Sequence, residues 1–486
     1  MSATITVRMY NQNNLGDCFL LKFTDGASES FLLIDFGSYV SGNDKREIEI
    51  AEDIKQTVKD KPLTIVLTHQ HKDHLTGFIS SENIMKDLNI SEIWFSYLDD
   101  PKGKEAKVMR DATKKFWEKN GEIKKTAKKK FKGVAEVEKM LNAKEKFDLF
   151  AEEQTGGMAI TNLLRWSQNQ CRFLVPGKNF DVPGLPDNSV KVYVLGPPTD
   201  PVLLKKLNPS KGDAVHSLDS MLQLSSLGTS INLVGDALDT ITPGINPAKQ
   251  SYDFPFNKKF TYAYNSKQIN APKNKPASPR SEIVESMREL SNTYVNAQKT
   301  WRRIDHDWLS EFGRVSLHMD SLTNNSSLVL AFEIVKTKKV LLFVGDAQIG
   351  NWKSWSNVKF EKSSVKANEL LSRTVVYKAG HHSSHNATLL EGLDLMDENE
   401  LVILIPVNQK VSDKMGFSML KPGMMAGYNR KSNGRVLRSD TIFHKPGRTN
   451  KFLFPFKKAE KDFEPKIKVV KDKAKKSHLY IEYTVK

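Results

Sequence analysis

Three histidines and one aspartate lie within six consecutive positions of this chain, namely His69, His71, Asp73 and His74. The apolar run directly before them, residues 63–67, is mostly β-branched or aliphatic and predicts a buried strand that ends at the cluster. The chain has only 11 histidines in 486 residues, so this density indicates a site rather than a polar loop that happens to contain histidine. Neutral imidazole nitrogens and carboxylate oxygens are the ligands that zinc prefers. The cluster therefore predicts a metal site.

The spacing within the cluster divides it into two pairs. Side chains alternate along an extended segment, so His69 and His71 are expected to point the same way. Asp73 and His74 lie one turn later and are expected to face a second ion.

Further polar groups follow other strand-like runs, and these are Asp35, Asp346 and the pair His381 and His382. A carboxylate at the end of a buried strand needs a partner, because burying an unpaired charge is costly. A shared metal centre would supply that partner for all of them. Asp346 alone also fits a turn residue after Gly345, but the groups together favour a single site.

A second aspartate, Asp236, could take the place of Asp346 in this metal site. Asp236 and Asp346 each end a pair of strand-like runs with the sequence Gly-Asp-Ala. We prefer Asp346, because His381 follows it after only 35 residues.

The charge of the chain is strongly positive, with a formal net charge of +16. Residues 101–146, which are predicted to be helical, carry 16 Lys and Arg against 7 Asp and Glu, and residues 456–477 carry nine Lys against four acids. Basic surfaces attract polyanions, so nucleic acid is an expected partner. The alternative for each stretch is a solvated surface, since neither interleaves the aromatic residues that stack on bases.

The composition also bounds where the protein is expected to act. The chain has no apolar run of about twenty residues, so we expect no membrane span. Its first residues lack the pattern of a secretory signal, and its two cysteines are too few for a disulfide framework. These features predict a cytoplasmic protein.

Strand-like and helix-like runs alternate along the chain, which predicts a layered α/β architecture with its chemistry where strands end. We expect one main domain over residues 1–430, with a basic helical insertion at about 99–180 and a polar insertion at about 239–300. Residues 431–486 are expected to form a basic C-terminal extension.

The stretch His69-Gln70-His71-Lys72-Asp73-His74 fits the H-x-H-x-D-H signature of the metallo-β-lactamase fold superfamily, which this chain resembles. Three other stretches carry the same resemblance, and they are Ile34-Asp35-Phe36-Gly37, Phe343-Val344-Gly345-Asp346-Ala347 and Ala379-Gly380-His381-His382-Ser383-Ser384. The chain is most similar to the branch of the ComEC-type competence proteins, through Leu15-Gly16-Asp17-Cys18, residues 324–330 and the double-histidine ending. The resemblance covers roughly residues 5–98, 190–200 and 318–410.

This resemblance implies a four-layered αββα sandwich that binds two divalent ions, zinc or alternatively manganese. His69 and His71 would bind the first ion. The ligands of the second ion would be Asp73, His74 and one of His381 or His382.

The resemblance also implies supporting roles. Asp346 would bridge the two ions, and Asp35 would orient a ligand imidazole from behind. Asp73 is expected to act in catalysis as well. The hydrolytic mechanism, rather than the resemblance, suggests that the non-ligand member of His381 and His382, or else His385, would donate a hydrogen bond to the developing oxyanion. His385 would alternatively donate a proton to the leaving group, or is instead a surface or helix-terminal histidine.

The chain departs from the family at one position. The histidine that usually lies between the first cluster and the bridging aspartate has no clear counterpart here. Asn324 and Asn325 occupy that neighbourhood, as in the ComEC-type branch, and are expected close behind the ligands. The remaining substitutes are His216, His318 and Asp320.

The expected function is therefore a metal-dependent hydrolase that uses a metal-activated water, with a phosphodiester as the first choice of substrate. Hydrolysis of an amide, lactam, lactone or thioester is the alternative chemistry. A different class of function is also open, namely a degenerate hydrolase fold that binds nucleic acid or a protein.

Overall fold

A computed structural model describes residues 2–40, 42–108, 110–111, 153–204, 206, 322–384, 386–417, 419–444, 458–459 and 461–486. Several predictions lie outside the described residues. They concern most of the basic stretch 101–146, the segment 239–300, Asp236, His216, His318, Asp320 and His385.

The described strands are, in chain order, β1 (Thr4–Tyr10), β2 (Cys18–Asp25), β3 (Ser28–Phe36), β4 (Leu63–Val66), β5 (Ile90–Ser96), β6 (Cys171–Leu174), β7 (Asn179–Asp181), β8 (Val190–Gly196), β9 (Val329–Ile334), β10 (Val340–Phe343), β11 (Thr374–Lys378), β12 (Val402–Ile405), β13 (Val436–Arg438), β14 (Ile442–Phe443), β15 (Ile467–Lys471) and β16 (His478–Val485). The α-helices with described bounds are α1 (Asp44–Val58), α2 (Lys72–Leu75), α3 (Gly77–Ser80), α4 (Glu82–Met85), α5 (Glu153–Trp166), α6 (Pro201–Leu204), α7 (Ile349–Ser354), α8 (Ala367–Ser372), α9 (Leu390–Leu395), α10 (Gln409–Met415) and α11 (Pro422–Lys431).

The strands form two mixed sheets of eight strands each. The first has the order β15-β16-β1-β2-β3-β4-β5-β6, and the second has the order β14-β13-β12-β11-β10-β9-β8-β7. In the first sheet the strands from β3 to β6 are parallel, and in the second those from β10 to β13 are parallel. The predicted α/β class is confirmed.

Each sheet is apolar on both faces. One core contains residues from both sheets, such as Phe19 and Leu21 of β2 with Phe332 of β9 and Phe343 of β10. The alternate residues of the first sheet pack with α1 and α5, and those of the second sheet pack with α7, α8 and α11. This period-two alternation explains why both sheets are rich in β-branched and aromatic residues.

Residues 77–85 form two one-turn helices, α3 and α4, rather than one continuous helix, because Ser81 leaves helical geometry between them (φ −108°, ψ 20°). Among the described residues, no helix is both long enough and apolar enough to cross a membrane.

The segment set apart as a C-terminal extension, residues 431–486, contributes strands to both sheets. Strand β13 lies beside β12 in the second sheet, and β16 pairs antiparallel with β1 in the first, with Met9 opposite Ile481. Ile481 and Tyr480 are buried there. The segment is therefore part of the sheet framework, because its strands extend the second sheet beyond β12 and the first sheet beyond β1.

The polar groups singled out in the sequence follow parallel strands. Asp35 lies near the end of β3, and the histidine cluster follows β4. Asp346 follows β10, and His381 and His382 follow β11. Carboxyl ends of parallel strands share one edge of a sheet, which is where ligands bind in open α/β sheets. The topology thus places all of these groups at strand ends.

Candidate metal centre

Loops from both sheets meet at one buried cluster of side chains. Asp73, His74, Asp346 and His382 each offer one ligand atom, and these four atoms lie within 4.8 Å of one another. The four residues are 7%, 0%, 1% and 1% exposed. We call these four residues, together with His69 and His71, the ligand cluster.

The distances within the ligand cluster divide it into two groups. In the first group, Nε2 of His69 lies 3.0 Å from Nδ1 of His71. In the second, Nε2 of His382 lies 3.0 Å from Oδ2 of Asp73, and Nε2 of His74 lies 3.8 Å from that oxygen. Oδ2 of Asp346 faces both groups, at 3.9 Å from Nε2 of His69 and 3.3 Å from Nε2 of His74.

Asp35 orients His74 from behind. Its Oδ2 lies 2.8 Å from Nδ1 of His74. An ionised carboxylate can only accept hydrogen bonds, so Nδ1 carries the proton and the neutral ring keeps a lone pair on Nε2. Asp35 itself is fully buried and has a left-handed backbone (φ 54°). Such conformations are costly for a residue with a side chain and recur at functional sites.

Asp35 also orients His69, through Thr68. The Thr68 hydroxyl donates to Oδ2 of Asp35 at 2.7 Å, and the Thr68 amide donates to Oδ1 at 2.8 Å. Because the hydroxyl donates its only hydrogen to Asp35, it can only accept in its second contact, a hydrogen bond from Nδ1 of His69 at 3.0 Å. Nε2 of His69 then has a lone pair that faces the cluster. One carboxylate therefore sets the tautomer of two imidazoles.

The structure distinguishes between the two histidines after β11. Nδ1 of His382 lies 2.6 Å from the carbonyl oxygen of Pro406 and donates to it, and Nε2 lies 3.0 Å from Oδ2 of Asp73, where it donates a hydrogen bond and would bind a metal ion once it loses that proton. His381 is partly exposed, and among the described residues no hydrogen bond or ion pair joins it to Asp73 or His74. The backbone at His381, His382 and Ser383 is left-handed, with φ of 41°, 48° and 69°. That conformation costs about 1–2 kcal/mol per residue.

The pKa values of the four histidines fall into two groups. Burial, followed by the neighbouring imidazoles, holds the pKa of His69 well below its usual value, and burial lowers the pKa of His71 to about 4. Although burial opposes it, carboxylates led by Asp346 raise the pKa of His74 well above the usual value, and the bond to Asp73 raises that of His382. Histidine ligands must be neutral, so metal binding would release protons from His74 and His382.

Two residues that received no role in the sequence analysis belong to the same site. Lys378, the last residue of β11, places its ammonium 2.5 Å from Oδ2 of Asp17 and 3.3 Å from Oδ1 of Asp346. Both Lys378 and Asp17 are 1% exposed. The available signal was the lysine itself, because a charged residue inside an otherwise apolar strand is rarely buried without a partner.

Asn324 and Asn325 are the two residues that were expected close behind the ligands. Both residues are fully buried. The Asn325 amide donates to the carbonyl oxygens of Leu203 and Leu204, and its Oδ1 accepts from the amide of Asn351. From the same loop Ser327 also reaches the ligand cluster, because its hydroxyl lies 3.3 Å from Nδ1 of His69 and accepts from the Asp346 amide at 3.0 Å.

The ligand cluster fits divalent metal ions. Nε2 of His74 and Oδ2 of Asp346 are buried and face each other without a hydrogen bond of good geometry among the described residues. Buried polar atoms without hydrogen bonds are rare, and a cation would satisfy both. The donor set of imidazole nitrogens and carboxylate oxygens suits zinc, and manganese is the alternative that carboxylates favour.

The charges of the site support the same interpretation. Four buried carboxylates, Asp17, Asp35, Asp73 and Asp346, surround one ammonium, that of Lys378. When the histidines have lost their extra protons, as ligands must, the site has three negative charges in excess. Buried charges require compensation, and two divalent ions would leave a single positive charge.

Asp99 supports the loop that carries the histidines and leads to a prediction about pH. Nε2 of Gln70, between His69 and His71, donates to Oδ1 of Asp99 at 2.6 Å. Burial is the main cause that raises the pKa of Asp99 to about 6, and the Gln70 bond opposes it. Between pH 3.8 and about 6 the folded protein holds a proton that the unfolded chain has released. Stability is therefore lost as the pH rises through this window, and above it the loss is constant.

Asp99→Asn is expected to remove this loss and to stabilise the protein by up to about 3 kcal/mol at about pH 8, with little change near pH 4. Denaturant midpoints of the metal-free protein at the two pH values measure the difference. Glu391→Gln, which neutralises an exposed carboxylate on α9, is the control. A gain for Asp99→Asn that is the same at both pH values would contradict the assigned pKa.

No known protein-family model matches the chain, and no curated protein matches it at a significant level.

Proposed function

We propose that this chain is a metal-dependent hydrolase of the metallo-β-lactamase type, with two divalent ions held by the ligand cluster. The observation that carries this proposal is the position of Asp346, whose Oδ2 lies 3.9 Å from Nε2 of His69 and 3.3 Å from Nε2 of His74. One carboxylate oxygen between two groups of ligands is the arrangement that a bridging aspartate requires. His69 and His71 would hold one ion, and Asp73, His74 and His382 the other.

We further propose that the fold is the four-layered αββα sandwich of that superfamily. The mixed core between the two sheets, with helices packed on the opposite face of each sheet, supports this proposal. The location of the ligand cluster at the carboxyl ends of β4, β10 and β11 supports it as well.

Bound divalent ions lower the pKa of a water molecule toward neutrality and stabilise negative charge on the attacked centre. The chain's own residues prepare the site for them. Asp35 and Thr68 hold the Nδ1 atoms of His74 and His69 so that their Nε2 atoms face the cluster and would be the ligand atoms, and the Pro406 carbonyl does the same for His382. The near-complete burial of these groups excludes bulk water and strengthens their interactions with charge.

The charge of the site favours an anionic substrate. While the metal-bound water is still neutral, two divalent ions would leave one positive charge in excess in a buried site, which attracts an anion such as a phosphodiester more strongly than a neutral amide or lactone. The formal net charge of +16 acts in the same direction for a polyanionic substrate. We therefore propose phosphodiester hydrolysis, with nucleic acid as the substrate class.

The test uses the full-length protein loaded with zinc or manganese. We expect metal-dependent turnover of single- or double-stranded DNA, RNA or bis-p-nitrophenyl phosphate, and loss of that turnover with a chelator. Nitrocefin, an acyl-homoserine lactone and a thioester are the comparison substrates. Turnover of those compounds alone would exclude the phosphodiesterase and support the other hydrolytic chemistry.

Metal analysis of the purified protein distinguishes the enzyme from a binding module. Close to two ions per chain supports the two-metal hydrolase. A protein that takes up no divalent ion but retains salt-dependent binding to nucleic acid would contradict it, and would identify the chain as a binding module on a hydrolase-like fold.

A further inference from the structure

Lys378 lies in the candidate metal centre, although an ammonium cannot bind a metal ion. Its side chain is 1% exposed and has three acceptors within reach. They are Oδ2 of Asp17 at 2.5 Å, the carbonyl oxygen of Gly345 at 2.6 Å and Oδ1 of Asp346 at 3.3 Å. An ammonium has three hydrogens to donate, so this environment satisfies it completely.

Asp17 anchors this ammonium from the opposite sheet. It precedes β2 in the first sheet, whereas Lys378 ends β11 in the second. The Asp17 amide donates to the carbonyl oxygen of Asp73 at 3.0 Å, so the backbone of Asp17 is tied to the turn that carries two predicted ligands. Lys378 therefore has a fixed position relative to both groups of the ligand cluster.

The contact with Lys378 gives the two carboxylate oxygens of Asp346 different partners. Oδ1 faces the Lys378 ammonium, and Oδ2 faces the histidine nitrogens. A carboxylate without such a contact could rotate about its Cβ–Cγ bond and offer one oxygen to each ion. With Oδ1 held by Lys378, only Oδ2 is available to both.

We propose that Lys378 is a positioning residue that, anchored by Asp17, makes Asp346 bridge the two ions through a single oxygen. This inference rests on the proposed two-metal function. Stability alone does not explain the pair, because buried ion pairs contribute little net stability compared with apolar residues of similar volume.

The experiment compares the wild-type full-length protein with Lys378→Met, which keeps the length of the side chain and removes its charge. We expect the affinity for the more weakly bound zinc ion, measured by competition with a chromophoric chelator, to fall by about 10- to 100-fold, as for other residues that orient ligands. X-ray absorption at the zinc edge of fully loaded protein gives the separation of the ions. We expect about 3.5–4 Å in the wild type, and a longer or undetectable separation in Lys378→Met.

Lys431→Met is the matched control. Lys431 is also buried (7% exposed) and donates to a backbone carbonyl, that of Asp394, but it lies on α11 and makes no described contact with the ligand cluster. It is expected to leave both the zinc affinity and the separation of the ions unchanged.

Removing one member of a buried ion pair leaves the other uncompensated, so Lys378→Met can weaken folding. The double variant Asp17→Asn/Lys378→Met removes both charges and is expected to fold while showing the same loss of affinity and the same change in separation.

Two results would overturn the inference, and they are distinguishable. If the wild type binds two ions and both variants match it in affinity and separation, the role of Lys378 is wrong while the two-metal function stands. If the wild type itself binds no second ion, both the inference and the two-metal function are wrong.

Discussion

Replacing Asp346 by alanine is expected to abolish the binding of a second ion and to reduce metal-dependent hydrolysis by at least about 100- to 1,000-fold, the loss typical of removing one stabilising group from an active site. The reason is the position of Oδ2 of Asp346, which faces ligand nitrogens of both groups. Asp346 as a whole is only 1% exposed. The same variant removes one acceptor from Lys378. No other described carboxylate faces both His69 and His74 in the same way.

Two measurements check this prediction independently of substrate. Metal analysis counts the ions that each protein retains. Thermal unfolding with and without zinc reports binding, because an ion that binds only the folded state raises the melting temperature. The wild type is expected to gain stability from zinc and Asp346→Ala to gain much less.

Asp394→Ala is the control, since it breaks an exposed ion pair with Arg430 at 2.9 Å. It is expected to keep the response to zinc. An Asp346→Ala protein that retains two ions and wild-type turnover would exclude Asp346 as the bridge.

Replacing Gly37 by alanine is expected to destabilise the protein by about 3 kcal/mol or more, the upper end for overpacking in a dense core. A β-carbon on Gly37 would lie 2.4 Å from the carbonyl oxygen of Lys72, 2.5 Å from the amide nitrogen of Leu75 and 2.7 Å from the carbonyl carbon of Asp73. All three atoms belong to the backbone of α2, so no side chain can rotate away. The helix that carries Asp73 and His74 must move instead.

The effect of Gly37→Ala on metal binding follows from that displacement. We expect weaker zinc binding together with the lower melting temperature, measured by chelator competition and by thermal unfolding. Gly157→Ala provides the same chemical change where nothing lies within 4 Å, in α5. Because alanine favours a helix more than glycine does, this control should be slightly more stable than the wild type. Equal stability of Gly37→Ala and the wild type would show that α2 does not pack against Gly37 as described.

Several parts of the site could be predicted from the sequence because their signals are local. The strand before His69 is visible as an apolar run, and the spacing of His69, His71, Asp73 and His74 indicates metal binding without any knowledge of the fold. Asp35 and Asp346 follow strand-like runs in the same way. Each of these inferences uses residues that lie within about ten positions of one another, where backbone geometry alone decides which side chains are neighbours.

Other parts depended on contacts between distant segments. His381 and His382 are adjacent and identical in type, and only the left-handed backbone and the Pro406 carbonyl turn His382 rather than His381 toward Asp73. The pairing of β16 with β1 joins the two ends of the chain, which no local pattern specifies.

By itself, the sequence determined the α/β class, the residues able to bind metal and the strands that present them. Only the tertiary structure decided that the Thr68 hydroxyl connects Asp35 to His69 by hydrogen bonds. It also decided that the Lys378 ammonium lies between the carboxylates of Asp17 and Asp346. The physical reason is that a strand pattern specifies which face a side chain occupies. Which side chains meet across two packed sheets depends on how the whole core is packed.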